Sequence, residues 1–276
     1  MPERQSLYVM IPALETPISF TPSLRDPSKM FVQLPPKVRN VLQSFTDGNH
    51  GVLIVGGAVR DYLLRRSPAD IDIITNMPPH VFIDKFKEFN VHTTPYVPRL
   101  YQILVEGLKI DISCCDTDVF YSAPAFLKDA ISRAFTVNAL YCDLNGKIYD
   151  PTQTGIADLL NHPTLRLMSA DENRFEKDPL LLLRAIRLAA QNNLTIPQEI
   201  KHLIKQSCGL LNKYDQQRLL VEFKRLFLRG YGLRNFEKLI ELDLLRFIFP
   251  KTIEYLSTSS GTHYLEWLRS ELHQTD

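Results

Sequence analysis

The sequence predicts two kinds of fold in one chain: a small mixed α/β head over roughly the first 150 residues, then an all-helical tail. Strand-like apolar runs punctuated by glycine and proline crowd the stretch before Asp150-Pro151 and vanish after it. Long segments of helical periodicity begin only beyond that point, the strongest at 178–191. No repeat or low-complexity tract interrupts either part, and 276 residues suffice for two or three compact bodies.

Each element has its own signal. Residues 1–35 hold Pro12, Pro17, Pro22 and Pro27 with little periodicity, so an irregular arm is expected. Asn40–Phe45 predicts a short helix that feeds a buried strand, Gly51–Val55. Gly56-Gly57 turns the chain into a helix, Ala58–Arg65, with Val59, Tyr62 and Leu63 on one side. Ile71–Ile74 continues a second strand, and Pro78-Pro79 ends it before a helix at Val81–Phe89. Tyr101–Gly107 and Leu108–Cys114 predict a hairpin, because VEGLK sets a glycine between apolar runs. Phe135–Tyr141 and Lys147–Tyr149 predict another through Asp143-Leu144-Asn145-Gly146. In the tail, helices are expected at Asp178–Gln191 with Pro179 in the first turn, at Tyr214–Arg229 closed by Gly230, and at Leu233–Ile240. A weaker one at Tyr264–Leu272 carries Trp267.

Charge and cysteine usage narrow the setting. With 32 basic and 31 acidic residues the net charge is +1, so nothing pulls the whole chain toward a polyanion. Nucleic-acid binding must rest on a local patch with a modest salt dependence. Four cysteines, of which Cys114 and Cys115 are adjacent, give neither a disulfide framework nor a C-x-x-C knuckle, and a reducing, cytoplasmic setting is expected. No apolar run reaches the ~18 residues of a membrane span, and MPERQSLYVM lacks the layout of a secretory leader. The seven histidines are scattered, without a zinc-protease or triad pattern.

The chemistry concentrates in residues 51–75. Asp70 and Asp72 stand two apart in a strand, which points both carboxylates to one face about 7 Å apart. Between Ile71, Ile73 and Ile74 such acids are costly without partners, and a divalent cation resolves the cost. The alternative is a strand-end pair facing solvent or capping a helix. Gly56 and Gly57 leave room for a phosphate at a helix start, and Arg60 can add donors to it or pair with Asp61 or Asp72. The segment is neither a Walker A loop nor a dinucleotide fingerprint. Asp111 is a candidate third acid or proton acceptor, against a plain hairpin acid. Arg133, Thr136 and Asn138 thread polar groups through an apolar segment, with Arg133 able to reach a triphosphate and Asn138 able to hold a turn. In the tail, Asp178, Arg184 and Arg187 share a helix; Arg184 suits a base or phosphate, and Arg187 suits this or a solvated stripe. Together these features point to metal-dependent phosphoryl or nucleotidyl transfer.

GGAVRD at 56–61 followed by DID at 70–72 resembles the signature of the class II nucleotidyltransferases, which hold the bacterial poly(A) polymerases and CCA-adding enzymes. FTVNAL at 135–140, YDPTQTGIADL at 149–159 and RFEKDPLLLLRAIRLAA at 174–190 extend the likeness over roughly residues 36–250. GYGLRNFEKLIELDLLRFIFP at 230–250 is similar to bacterial poly(A) polymerases in particular, and the resemblance is placed nearest to them. It implies an α+β fold: a polymerase-beta-like head over 36–150, a base-reading helical neck over 151–210, and a helical body over 211–276 that contacts RNA.

The resemblance also implies that Asp70 and Asp72 bind two Mg2+ ions, with Asp111 the third acid. Gly56 and Gly57 cradle the triphosphate of ATP, Arg133 falls on the second arginine of an RRDFT pattern, and Asp178 reads the base. AMP would then pass to an RNA 3′ hydroxyl with release of pyrophosphate, the acceptor being tRNA or another RNA end, not DNA, and no membrane being involved. Alternatives are a CCA-adding enzyme, a non-catalytic RNA-binding protein of the same fold, and transfer to a non-RNA acceptor. Departures from the pattern fall on base choice. Lys177 replaces a glutamate and Leu181 the arginine that pairs with Asp178, while Ser132, Ala134, Gln102 and Asp116 also differ. Losing one of a base-reading pair is expected to relax selectivity.

Overall fold

Ile71, Ile73 and the residues of VLIV at 52–55 are fully buried, so the centre of the sheet is an apolar core. The computed structural model describes residues 30–31, 33–46, 50–93, 98–115, 129–168 and 173–276, of which 259, 260 and 275 by backbone alone. The arm expected over 1–35 lies outside them except at its end, where Met30, Phe31 and Leu34 are buried. Asp116 also lies outside them. The chain divides into two compact units between Asn161 and His162.

In the first unit a helix, α1 (Pro36–Ser44), precedes strand β1 (Val52–Val55), helix α2 (Gly57–Leu63), strand β2 (Asp70–Thr75) and helix α3 (Pro79–Lys85). Prolines open α1 and α3, where a missing N–H costs nothing. Then follow β3 (His92–Thr93), β4 (Leu100–Val105), β5 (Leu108–Cys114), β6 (Tyr141–Cys142), β7 (Ile148–Tyr149) and helix α4 (Gly155–Leu160). The strands form one sheet in the order β3-β4-β5-β2-β1-β6-β7. β2 and β5 run parallel, and the other described pairings are antiparallel. The β4–β5 hairpin turns on Glu106 and Gly107, both at positive φ (51° and 79°), as a two-residue turn requires. Phe45, Phe82 and Phe86 stack against one side of this core.

The strand expected at Phe135–Tyr141 is not there. Thr136–Asn138 is a single 3₁₀ turn, and the hairpin is only the short β6–β7 pair. Polar side chains outcompete the strand propensity: Thr136 donates to Asp158 at 2.7 Å, and Asn138 accepts from Arg60 at 2.6 Å. Asp150 anchors the segment that follows, accepting from Thr152 and from the Ile156 amide. Gly155 sits so close to the Thr136 carbonyl that an added Cβ would lie 2.7 Å from it.

The second unit is helical: α5 (Arg174–Lys177), α6 (Leu180–Asn192), α7 (Gln198–Ser207), α8 (Gln216–Phe227), α9 (Gly232–Glu241), α10 (Leu245–Ile248), α11 (Pro250–Leu256) and α12 (Ser259–Thr275). The helix expected from Asp178 begins at Leu180 instead. Asp178 ends α5 in an extended conformation (φ −140°), and Pro179 separates the two helices. α8 begins where the Asp215 side chain accepts from the Arg218 amide. Asn193, at φ 53°, terminates α6 in the left-handed conformation. The family-like core of α6 is almost continuous, with Leu180, Leu181, Leu182, Leu183, Ile186 and Leu188 all buried.

Candidate active site

Strand alternation puts Asp70 and Asp72 on the same face of β2, with Ile71 and Ile73 on the other. Parallel pairing sets Asp111 of β5 directly beside Asp72, and Lys109 beside Asp70. On the far side of β5, Gln102 of β4 is the register partner of Asp111. The result is a polar row, Gln102–Asp111–Asp72, crossing an otherwise apolar sheet. Asp111 is held at both oxygens, accepting from Gln102 Nε2 at 2.7 Å and pairing with Lys109 Nζ at 2.5 Å. Asp70 and Asp72 have no hydrogen-bond donor on them among the described residues.

The glycine turn closes the row. Val55 pairs with Asp72, so Gly56 emerges beside that carboxylate. Gly56 adopts φ 69°, and a Cβ there would meet Arg133 Nη1 at 2.9 Å and Asp72 Oδ2 at 3.7 Å. Its amide donates to the Leu140 carbonyl at 2.9 Å, which ties the turn to the segment after Asn138. Gly57 faces only the Arg60 guanidinium, at 3.6 Å. Arg60 itself pairs with Asp61 at 2.7 Å and donates to Asn138 at 2.6 Å. Arg133 donates to Asp129 at 2.7 Å and lies over the Tyr141 ring, whose hydroxyl donates to the same carboxylate. Asp129 thus aims Arg133 at Gly56 and Asp72.

Burial pushes the Asp72 carboxyl up to about 6; Arg133 opposes the rise, and the charges of Asp70 and Asp111 add to it. A partly buried carboxylate beside two others, with one flanking guanidinium, is a site that a cation stabilises. Among the described residues no three His, Cys, Asp or Glu side chains are placed to hold a metal together. The donor set that fits magnesium is therefore the pair Asp70 and Asp72, two hard oxygen ligands that leave positions for water and phosphate.

In the helical unit, Asp178 Oδ2 accepts from Arg184 Nη1 at 3.2 Å, while Asp178 Oδ1 is buried with no partner. Arg187 is not part of a solvated stripe: its Nε donates at 2.7 Å to Glu222, a carboxylate only 2% exposed. Leu181 is 5% exposed and packs as core.

The sequence reading missed Asp129, Lys109 and Glu222. The first had a signal, since Asp129 and Arg133 are four apart on one helical turn. The pairing of Gln102 with Asp111 follows from the hairpin register once its turn is placed at Glu106-Gly107. Glu222 is 35 residues from Arg187, and nothing local announces it.

Residues 52–164 match the family model described as "Poly A polymerase head domain", and residues 193–256 match "Probable RNA and SrmB- binding site of polymerase A". The CC-adding tRNA nucleotidyltransferase of Halalkalibacterium halodurans is 31% identical over 218 residues, 76% of this chain and 53% of its own length. A solved complex of a CCA-adding enzyme with ATP superimposes with a TM-score of 0.70 at 27% identity, covering 86% of this chain and 58% of that one. Poly(A) polymerase I of Salmonella typhi is 27% identical over 257 residues, 86% of this chain and 54% of that protein. This chain spans about half the length of the curated relatives it matches. The expected nearness to poly(A) polymerases is overturned: identity is higher to the CC-adding enzyme, and the solved likeness is a CCA-adding enzyme. GYGLRNFEKLIELDLLRFIFP lies mostly on α9 and α10, where Phe236, Leu239 and Leu245 are buried. By sequence and fold together, the chain carries the nucleotidyltransferase fold that CCA-adding enzymes and poly(A) polymerases share.

Proposed function

We propose that this protein is a metal-dependent nucleotidyltransferase that extends an RNA 3′ end, with tRNA-type CC or CCA addition favoured over poly(A) synthesis. The observation that carries the reading is the bare pair Asp70 and Asp72 on one sheet face, set beside Gly56, Arg133 and the pinned Asp111. The likeness to a CC-adding tRNA nucleotidyltransferase supports the acceptor.

Asp70 and Asp72 would hold magnesium, which supplies charge neutralisation of a triphosphate and acidifies an attacking hydroxyl. Arg133, braced by Asp129 and Tyr141, faces the glycine turn and is suited to hold phosphate oxygens there with Gly56 and Gly57. Asp111 is fixed in place by Gln102 and Lys109, next to Asp72, as the candidate acceptor of the hydroxyl proton. In the helical unit the free Asp178 oxygen accepts and Arg184 donates. That pair complements cytosine and adenine, each with an exocyclic amine beside a ring-nitrogen acceptor, and mismatches uracil and guanine.

The test is to offer the purified protein a tRNA lacking its CCA end, magnesium and each labelled nucleoside triphosphate, then sequence the products. One or two added C residues, with or without a final A, support this reading. A homopolymeric A tail contradicts the tRNA-type preference, and no extension of any RNA contradicts the reaction itself.

A further inference from the structure

Glu222 lies on α8, buried, and three arginines converge on its carboxylate. Arg187 Nε donates to Oε1 at 2.7 Å, Arg225 Nη1 donates to Oε2 at 3.2 Å, and Arg184 Nε stands 3.9 Å from Oε2. The same Arg184 guanidinium reaches Asp178 Oδ2 through Nη1 at 3.2 Å. It is thus shared between two carboxylates, one at each edge.

The sharing has a consequence for Asp178. An arginine facing a lone carboxylate commonly closes a two-bond fork on both oxygens. Here the Glu222 carboxylate attracts the Nε edge of Arg184 through an ionic contact at 3.9 Å, beyond hydrogen-bond reach, while Asp178 receives a single bond and its Oδ1 stays buried without a partner. An orphaned buried acceptor costs free energy unless a ligand satisfies it. Residue 181 is a leucine in the core, so Arg184 is the only arginine bonded to Asp178 among the described residues.

We infer that Glu222 is a positioning residue for nucleotide selection. By restraining Arg184, it keeps Asp178 Oδ1 open to the exocyclic amine of cytosine or adenine. Arg187 and Arg225 serve Glu222, holding its carboxylate in place, and do not touch the nucleotide. The inference rests on the base-reading role proposed above for Asp178 and Arg184.

Calorimetric titration of the 276-residue chain with CTP and with UTP, each with magnesium, tests it on the wild type and on Glu222→Gln, which keeps the shape and removes the charge. The wild type should prefer CTP. In Glu222→Gln, Arg184 is released to close its fork on Asp178, and the CTP/UTP affinity ratio should fall about tenfold, chiefly through weaker CTP binding. Glu222→Asp, retaining the charge, should recover most of the ratio. Equal weakening of both nucleotides with an unchanged ratio would show a merely structural role and overturn the inference, as would a wild type with no preference. Should Glu222→Gln fail to fold, Arg184→Lys decides: a point charge cannot bridge both carboxylates, and an unchanged ratio again overturns it. Wild-type extension of RNA alongside an unchanged ratio removes the role of Glu222 and leaves the proposed reaction standing. Selective CTP binding lost in Glu222→Gln, without any RNA extension, upholds Glu222 and removes the reaction.

Discussion

Asp72 and Asp111 are register partners across the parallel pairing of β2 with β5, so two carboxylates stand side by side on one face, strands about 4.8 Å apart. Asp111 is directly bonded to Lys109 and Gln102, whereas Asp72 has only the more distant charges of Arg133 and Lys109. Asp72 is thus the less compensated of the two acids.

That imbalance gives a pH signature in metal-free protein. Asp72 titrates near 6 in the folded state against 3.8 when exposed, so the folded state holds the extra proton between those values. Stability therefore falls as pH rises through the window, and the cost is fully present above about pH 6. Urea unfolding in chelator should find Asp72→Asn more stable than wild type at pH 7, by an amount on the order of 2 kcal/mol. At pH 4 the gain should vanish. An equal difference at both pH values would contradict the burial of an uncompensated charge.

The two glycines should respond differently to alanine. Gly56→Ala combines φ 69° with a contact 2.9 Å from Arg133 Nη1, and should cost about 2 kcal/mol while displacing that guanidinium. Gly57→Ala meets only the Arg60 side chain at 3.6 Å and should leave thermal stability within about 0.5 kcal/mol of wild type. Loss of triphosphate affinity in this stable variant would mark Gly57 as part of the cradle. Comparable destabilisation by both changes would be the wrong outcome.

Asp129 should matter to phosphate binding without touching phosphate. Asp129→Asn weakens the brace on Arg133, and ATP affinity is expected to fall about tenfold, or about 1.4 kcal/mol. Tyr141→Phe removes the hydroxyl's bonds to that carboxylate and to Arg133 but keeps the ring beneath the guanidinium, so it should lower ATP affinity less than Asp129→Asn does. Titration of both variants with ATP separates bracing from folding.

Leu181→Arg, which would rebuild the base-reading pair expected from the family pattern, should not sharpen nucleotide choice. Leu181 is 5% exposed, and Arg184 already bonds Asp178. Burying a guanidinium there should cost on the order of 3 kcal/mol in urea unfolding. A folded variant with tenfold sharper selectivity would contradict the assignment of Arg184.

Local physics made much of this arrangement readable. Period-two alternation put Asp70 and Asp72 on one face, and the glycine turn in VEGLK gave the β4–β5 hairpin. The parallel register that brings Asp111 to Asp72 was not readable, because the β2–β5 crossover sets it through packing and not through any local residue pattern. The strand expected at Phe135–Tyr141 failed for a specific reason: Thr136 and Asn138 find partners in Asp158 and Arg60, far away in sequence. Arg187 suited a base or phosphate contact or a solvated stripe, because its partner, Glu222, sits on another helix and leaves no local signal. Long-range polar pairs are what composition and periodicity do not encode.

Single-turnover transfer from α-labelled CTP to tRNA lacking its CCA end tests the central claim most directly, comparing wild type, the Asp70→Ala/Asp72→Ala double variant, and wild type in chelator. The account predicts labelled RNA and matching pyrophosphate release for wild type with magnesium. The double variant should remain folded, with transfer lowered at least a thousandfold, about 4 kcal/mol of barrier, and chelation should abolish transfer reversibly. Turnover by the double variant within tenfold of wild type would contradict it.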